Sequence, residues 1–281
     1  KLTLNGLTGG HSGMDIHRGR GNANKLMNRT LSMASEVFSL SISEIDGGGL
    51  RNAIPRESTA IIGVSELEKN EFEQWIKEFE KTLKSEYHTT DPNLKLSIES
   101  HTRPMKVLQA DFQTEILQAI YATPVGIYRM SPEIEGLVQT SNNVARVLVK
   151  EGEYSVLCLT RSSVDSEKMD EAQAIKSVFS LIGATVEFSG TYPGWTPKPD
   201  AQIVSIMRDL YRKKFNSEPH VMACHAGLEC GILGTNYPEM EMISFGPNIR
   251  GAHSPDECAQ ISSVQKFWSF LLDALKEIPK A

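Results

Sequence analysis

The run from Leu67 to Tyr87 places Phe72, Trp75, Ile76, Phe79 and Leu83 on one side of a helix. Apolar residues at three- and four-residue spacing specify a helix with one buried face. It is flanked by the strand-like stretches Ser58–Val64 and Asn93–Glu99, which alternate at the two-residue period of a half-buried strand. A helix between two such strands must lay its apolar face on a sheet. The same design recurs upstream and downstream. Leu2–Leu4 reads as a strand, and Asn22 or Asn24 opens a helix carrying Leu26, Met27, Leu31, Ala34, Val37 and Phe38. Ser39–Ile45 reads as a strand broken at Gly47-Gly-Gly49.

A second unit repeats the arrangement. Phe112–Ala122 reads as a helix, and Asn142–Lys150 with Ser155–Arg161 as a hairpin about Glu151-Gly152-Glu153. Glu167–Ile182 reads as a helix and Ala184–Ser189 as a strand. The turn-rich Gly190–Pro199 stretch marks a boundary. Beyond it, Ala201–Phe215 reads as a helix, and His220–Cys224 and Met240–Phe245 as strands. Ser254-Pro255-Asp256-Glu257 carries the signature of a helix start. The fold class read from this order is α/β, with a doubled helix-on-sheet portion over residues 1–190 (about 1–103 and 104–190) and a distinct segment over 191–281.

Composition narrows the function. Apolar residues make up 40% and charged residues 23% of the 281, which is ordinary for a globular chain. The net charge of −6 offers no basic stripe for nucleic acid or an anionic membrane. No apolar run approaches the roughly 18 residues of a membrane span. Cys158, Cys224, Cys230 and Cys258 do not form a disulfide framework in a chain this long, so reduced thiols in a cytoplasmic protein are expected. The sequence opens at Lys1 within a strand-like pattern, as a part of a longer protein would.

Four residue groups could carry chemistry. His11 sits among glycines that let a ligand approach the backbone, where an imidazole can donate to a developing oxyanion. Arg161, at the end of a β-rich run, could clamp a carboxylate through two parallel hydrogen bonds. His225 with Glu229 has the four-residue spacing of a helical metal pair, but the intervening Gly227 favours a substrate-lining role. His253, between a strand-like run and a helix start, stands where α/β folds place their ligands. No serine or cysteine nucleophile stands out, and no phosphate loop or dinucleotide fingerprint is present.

Six motifs occur in order: Gly9-Gly-His-Ser-Gly13, Gly21-Asn-Ala-Asn-Lys-Leu26, Arg51-Asn-Ala-Ile-Pro-Arg-Glu57, Tyr192-Pro-Gly-Trp195, His225-Ala-Gly-Leu-Glu-Cys-Gly231 and Gly251-Ala-His-Ser-Pro-Asp-Glu257. Together they resemble the carboxyl-terminal part of the aminoacyl-histidine dipeptidase (peptidase D) family, co-catalytic dizinc peptidases related to carnosinase and glutamate carboxypeptidase. The resemblance spans Lys1 to Ala281. It implies that residues 1–190 are a lid and 191–281 the last segment of a zinc-exopeptidase catalytic domain. It implies His253 as a zinc ligand, His11 as the lid residue stabilising the transition state, and Arg161 as the holder of the substrate carboxylate. Asn143 and His225 would line the substrate site, while Asn142 departs from the pattern, standing where an apolar residue is expected.

The implied reaction is hydrolysis of Xaa-His dipeptides by metal-activated water. Tripeptides or N-acyl amino acids are the alternative substrates, and a non-catalytic lid or dimerisation module the alternative role. The family's other zinc ligands and its catalytic glutamate have no counterpart in these residues, so the chain alone is expected neither to hold zinc tightly nor to cleave dipeptides. The expected partners are a small peptide and a second copy of the chain, with no nucleic acid and no membrane, although a doubled lid could supply the histidine within one chain.

Overall fold

The computed structural model describes residues 1–223, 225, 229–251 and 257–277. Strand β1 (Leu2–Asn5) is followed by the short β2 (Gly10–His11), a 3₁₀ turn at Ile16–Arg18 and helix α1 (Ala23–Val37). Then come β3 (Leu40–Gly48), β4 (Ala53–Ile54), β5 (Ser58–Val64), α2 (Lys69–Glu86) and β6 (Lys95–Ile98). The second unit holds α3 (Ala110–Ala122), β7 (Gly126–Met130), β8 (Val138–Lys150), β9 (Glu153–Ser162) and α4 (Asp165–Leu181). The remainder comprises α5 (Gln202–Phe215), α6 (Glu229–Asn236), β10 (Ile249–Arg250), β11 (Cys258–Ala259) and α7 (Ile261–Glu277).

The large strands of both units form one antiparallel sheet. It runs β6-β1-β5-β3-β8, with β7 and β9 also paired to β8. The two halves join where Ile45 to Gly48 of β3 meet Val149 to Arg146 of β8. Register lines apolar residues up across this joint: Ile98, Leu2, Ala60, Ile45, Val149 and Tyr154 are successive partners on six strands. Helices α1 to α4 cover that face and share one continuous core with it. Phe72, Ile76, Phe79 and Leu83 of α2 are all buried, as their spacing requires. At the head of α1, Asn22 caps the helix by accepting the Lys25 amide at 3.2 Å, satisfying an amide the first turn leaves unpaired. The β8–β9 hairpin turns through Glu151 and Gly152, both with positive φ (56° and 87°), as a tight two-residue hairpin turn demands.

Several local expectations fail for identifiable reasons. Strand β3 does not stop at Gly47 but continues through Gly48, because β8 and β5 pair with it there. Ala184–Ser189 is not a strand: Ala184 and Val186 pack against the core, but no neighbour supplies a hydrogen-bond ladder. His220–Ala223 and Met240–Phe245 also lack strand pairing, and Cys224 lies outside the described residues. The last helix begins at Ile261 rather than after Ser254, since Cys258 and Ala259 pair with Arg250 and Ile249. Residues 254–256 lie outside the described residues.

A smaller core joins α5 to α7 through Met207, Leu210, Phe270 and Ala274. Trp268, Leu272 and Leu275 of α7 remain exposed. Among the described residues, no helix is long and apolar enough to cross a membrane.

Candidate active site

The functional side chains gather on the sheet face that the helices leave open. Strand β8 alternates: Thr140, Asn142 and Val144 turn toward the helices, while Ser141 and Asn143 turn away. The contacts on each side establish this. Thr140 donates to Glu167 of α4, and the Asn142 amide donates to the Pro124 carbonyl at 2.7 Å. Asn142 therefore occupies a core-facing position, and it is tolerated there because Thr160 and Pro124 satisfy its amide. On the open face, Arg161 of β9 lies directly opposite Ser141, and Leu159 opposite Asn143.

Arg161 is only 8% exposed. Its Nη1 donates to the Tyr192 hydroxyl at 3.2 Å, and its Nε is buried with no partner among the described residues. Burying a guanidinium without an anion is costly, so a site this incomplete points to an anionic ligand.

His11 comes to the same place from the opposite end of the sequence. Strand β2 pairs with β4, placing His11 opposite Ala53. The His11 amide donates to Asp15 Oδ2 at 2.9 Å, and the Ser12 amide to the Asn52 carbonyl at 2.7 Å. The chain reaches this pose through Gly10, whose φ of 137° is unsuited to other residues and whose Cβ would fall 2.4 Å from an Arg20 nitrogen. The ring's Nδ1 accepts the amides of Gly13 at 3.2 Å and Met14 at 3.0 Å. An accepting Nδ1 puts the proton of the neutral ring on Nε2, which is the tautomer an oxyanion donor needs. A Cβ at Gly13 would lie 3.1 Å from His11 Cε1 and 3.5 Å from Arg161 Nε, so ring and guanidinium flank one spot.

His225 is buried, and its Nε2 lies 2.8 Å from Ser141 Oγ. Burial first, then the nearby Arg161, His11 and His17, push its pKa down to about 4. It is therefore neutral at physiological pH and adds no positive charge beside Arg161. Arg161, Tyr192 and His225 line one cleft of about 1200 Å³ along β9.

Asn143 is fully enclosed beneath this site. Its amide nitrogen donates to the carbonyls of Arg51 at 3.2 Å and Ala53 at 2.7 Å, and its oxygen accepts from Asn22 at 3.2 Å. Both donors are committed to the β4 segment that holds His11. Replacing Asn143 with alanine is expected to lower unfolding stability by about 2–3 kcal/mol, since two part-buried carbonyls lose a donor and the buried Asn22 amide loses an acceptor. A urea midpoint unchanged at constant slope would refute this.

Among the described residues, no three His, Cys, Asp or Glu side chains come together as a metal site requires. His253, the ligand expected from the sequence, lies outside the described residues. The described donors do not fit a metal, and no chemical step is derived through one. Cys158 and Cys258 are free thiols.

Comparison with known proteins adds a family context. Residues 2–91 match the peptidase dimerisation domain. The chain is 41% identical over 279 residues to the cytosol non-specific dipeptidase of Escherichia coli, covering 99% of this chain and 58% of that protein. It superposes on aminoacylhistidine dipeptidase from Vibrio alginolyticus with a TM-score of 0.87 and 41% identity, over all of this chain and 57% of that one. The chain resembles the carboxyl-terminal part of a dipeptidase of the peptidase-dimerisation-domain family. Its antiparallel sheet with helices on one face is the lid fold of those enzymes. It spans a little under three-fifths of the length of the relatives it matches.

Ser141 and Tyr192 were not singled out as site residues in the sequence. Tyr192 was visible within the Tyr-Pro-Gly-Trp motif, but nothing local tied its hydroxyl to Arg161. Ser141 becomes legible only once the β8–β9 register is known.

Proposed function

We propose that this chain supplies the substrate-holding side of a metallodipeptidase, with residues 1–190 as lid and 191–281 as the last segment of the catalytic domain. The observation carrying this reading is the buried Arg161, with no anionic partner among the described residues, beside a His11 whose Nδ1 accepts two backbone amides. In the proposed pose the guanidinium holds the free carboxylate of a dipeptide. His11 Nε2–H donates to the oxygen that becomes negative as the peptide carbonyl is attacked. His225 closes the pocket as a neutral wall, and Asn143 braces β4, the strand that pairs with the one carrying His11.

Two zinc ions per site, with His253 as a ligand, belong to the same proposal and rest on the resemblance. So do a cytosolic location and a homodimer, which the relative's name and the dimerisation-domain match favour. The proposed substrates are dipeptides with a carboxyl-terminal histidine, as the solved relative's name suggests. The other relative is called non-specific, which favours a broader dipeptide range.

A panel of Xaa-His dipeptides, other dipeptides, tripeptides and N-acyl amino acids, assayed on the full-length protein, tests this reading. Dipeptides are expected to be cleaved fastest, and preferential cleavage of tripeptides or N-acyl amino acids would overturn it. In the same assay His11→Ala is expected to lower kcat by about 10²–10³, the usual cost of removing one oxyanion donor. KM should change far less.

A further inference from the structure

We propose that the Tyr192 hydroxyl is a second ligand of the substrate carboxylate, acting beside Arg161. The inference rests on the reading that Arg161 holds that carboxylate. Arg161 Nη1 donates to the Tyr192 oxygen at 3.2 Å. A phenol that accepts one hydrogen bond keeps its own proton to donate. An anion drawn to the guanidinium therefore meets two kinds of donor, the N–H groups of Arg161 and the O–H of Tyr192. Both side chains line the same cleft.

The loop bearing Tyr192 is built to hold this pose. Lys168 of α4 donates to the Tyr192 carbonyl at 2.8 Å and pairs with Asp165 at 2.6 Å. Asp165 in turn accepts the Gly194 amide at 3.0 Å, and Thr196 donates to the Ser163 carbonyl at 3.2 Å. At Gly194 the backbone lies so close to the end of β9 that a Cβ would sit 2.9 Å from the carbonyl oxygens of Ser162 and Ser163. The tyrosine is thus fixed to the strand end that carries Arg161, and a rigid donor loses little freedom on binding. Among the described residues Arg161 Nε has no partner, so their own groups do not complete the site.

The test compares a dipeptide with its carboxyl-terminal amide on the full-length protein, using Tyr192→Phe, Arg161→Met and the double variant. Tyr192→Phe is expected to raise KM for the free acid about tenfold, to leave kcat within about twofold, and to leave the amide unaffected. In the Arg161→Met background, Tyr192→Phe is expected to lower the acid-over-amide preference by a further few-fold. If that second step has no effect, Tyr192 works only through Arg161 and the proposal is overturned. An unchanged preference in Tyr192→Phe alone overturns it as well. If Arg161→Met leaves the preference intact while Tyr192→Phe lowers it, the reading of Arg161 fails and Tyr192 stands. Calorimetric binding of the free acid to each variant provides the same comparison without turnover.

Discussion

Arg161→Ala is expected to lower kcat/KM for free-acid dipeptides by about 10²–10³-fold while leaving the protein as stable as before, or slightly more so. The two halves of that outcome have different causes. Charge-assisted hydrogen bonds to a carboxylate contribute roughly 1.5–3 kcal/mol each, and the geometry offers more than one. Stability should not follow activity down, because among the described residues no carboxylate pairs with Arg161 and its Nε has no partner. Removing an uncompensated buried charge relieves a desolvation penalty. An arginine serving only the fold would show the reverse, with stability lost and the kinetics of the surviving protein unchanged. Measuring urea midpoints alongside kcat/KM separates the cases, and a kcat/KM within about threefold of the parent would remove Arg161 from the site.

Glu171→Gln carries the second large effect, on stability rather than catalysis. Glu171 lies on α4 with no solvent exposure, and neither carboxyl oxygen has a partner among the described residues. Burial, and then the charge of Glu167, raise its pKa from 4.5 to about 8. In the folded protein it is therefore protonated at pH 7, whereas in the unfolded chain it is ionised. Between pH 4.5 and 8 the folded state holds the extra proton, so this group's stability is fully present below about 4.5 and is lost as pH rises toward 8. The slope is about 1.4 kcal/mol per pH unit. Glutamine cannot ionise, so the variant should gain on the parent steadily from pH 5 to pH 8 in urea denaturation. Parallel pH curves for the two proteins would show that Glu171 ionises normally.

Much of the helix-covered sheet was legible because its signals are local. The stripe on α2, the Asn22 cap and the Glu151-Gly152 turn each lie within a few residues, and each formed where its pattern put it. What failed depended on partners the pattern could not name. Ala184 and Val186 bury alternately as strand residues do, but a strand needs a hydrogen-bonded neighbour and none of the described strands pairs with them. Strand β7 escaped notice for the opposite reason. Gly126–Met130 is largely exposed and shows no alternation, and it is a strand only because β8 pairs with it. At the carboxyl end, a local cap signature lost to the pairing of Cys258 and Ala259 with β10.

The site divides in the same way. His11 and His225 lie in sequence motifs and Arg161 at the end of a β-rich run outside them, and the structure brings the three together. The roles of Ser141 and Tyr192 come from tertiary position alone. Asn143 was recognised as belonging to the region, but its bracing of β4 required the long-range contact with Ala53.

The two-residue turn between β8 and β9 has a consequence for how the protein can tolerate change. Side chains on a strand switch faces with every residue. If that turn gained one residue and β9 slid by one position, Arg161 would leave its place opposite Ser141 and turn toward the helix-covered face, beside Thr140 or Asn142. The guanidinium would then enter the face where Thr140 and Asn142 meet Glu167 and Pro124, and core-facing side chains of β9 would turn outward. An insertion at Gly152 that shifts the register would thus displace Arg161 and disturb the core packing in a single step. Length changes in this chain are therefore better tolerated elsewhere, as at the largely exposed Ser131–Gly136 loop, which carries none of the candidate site residues.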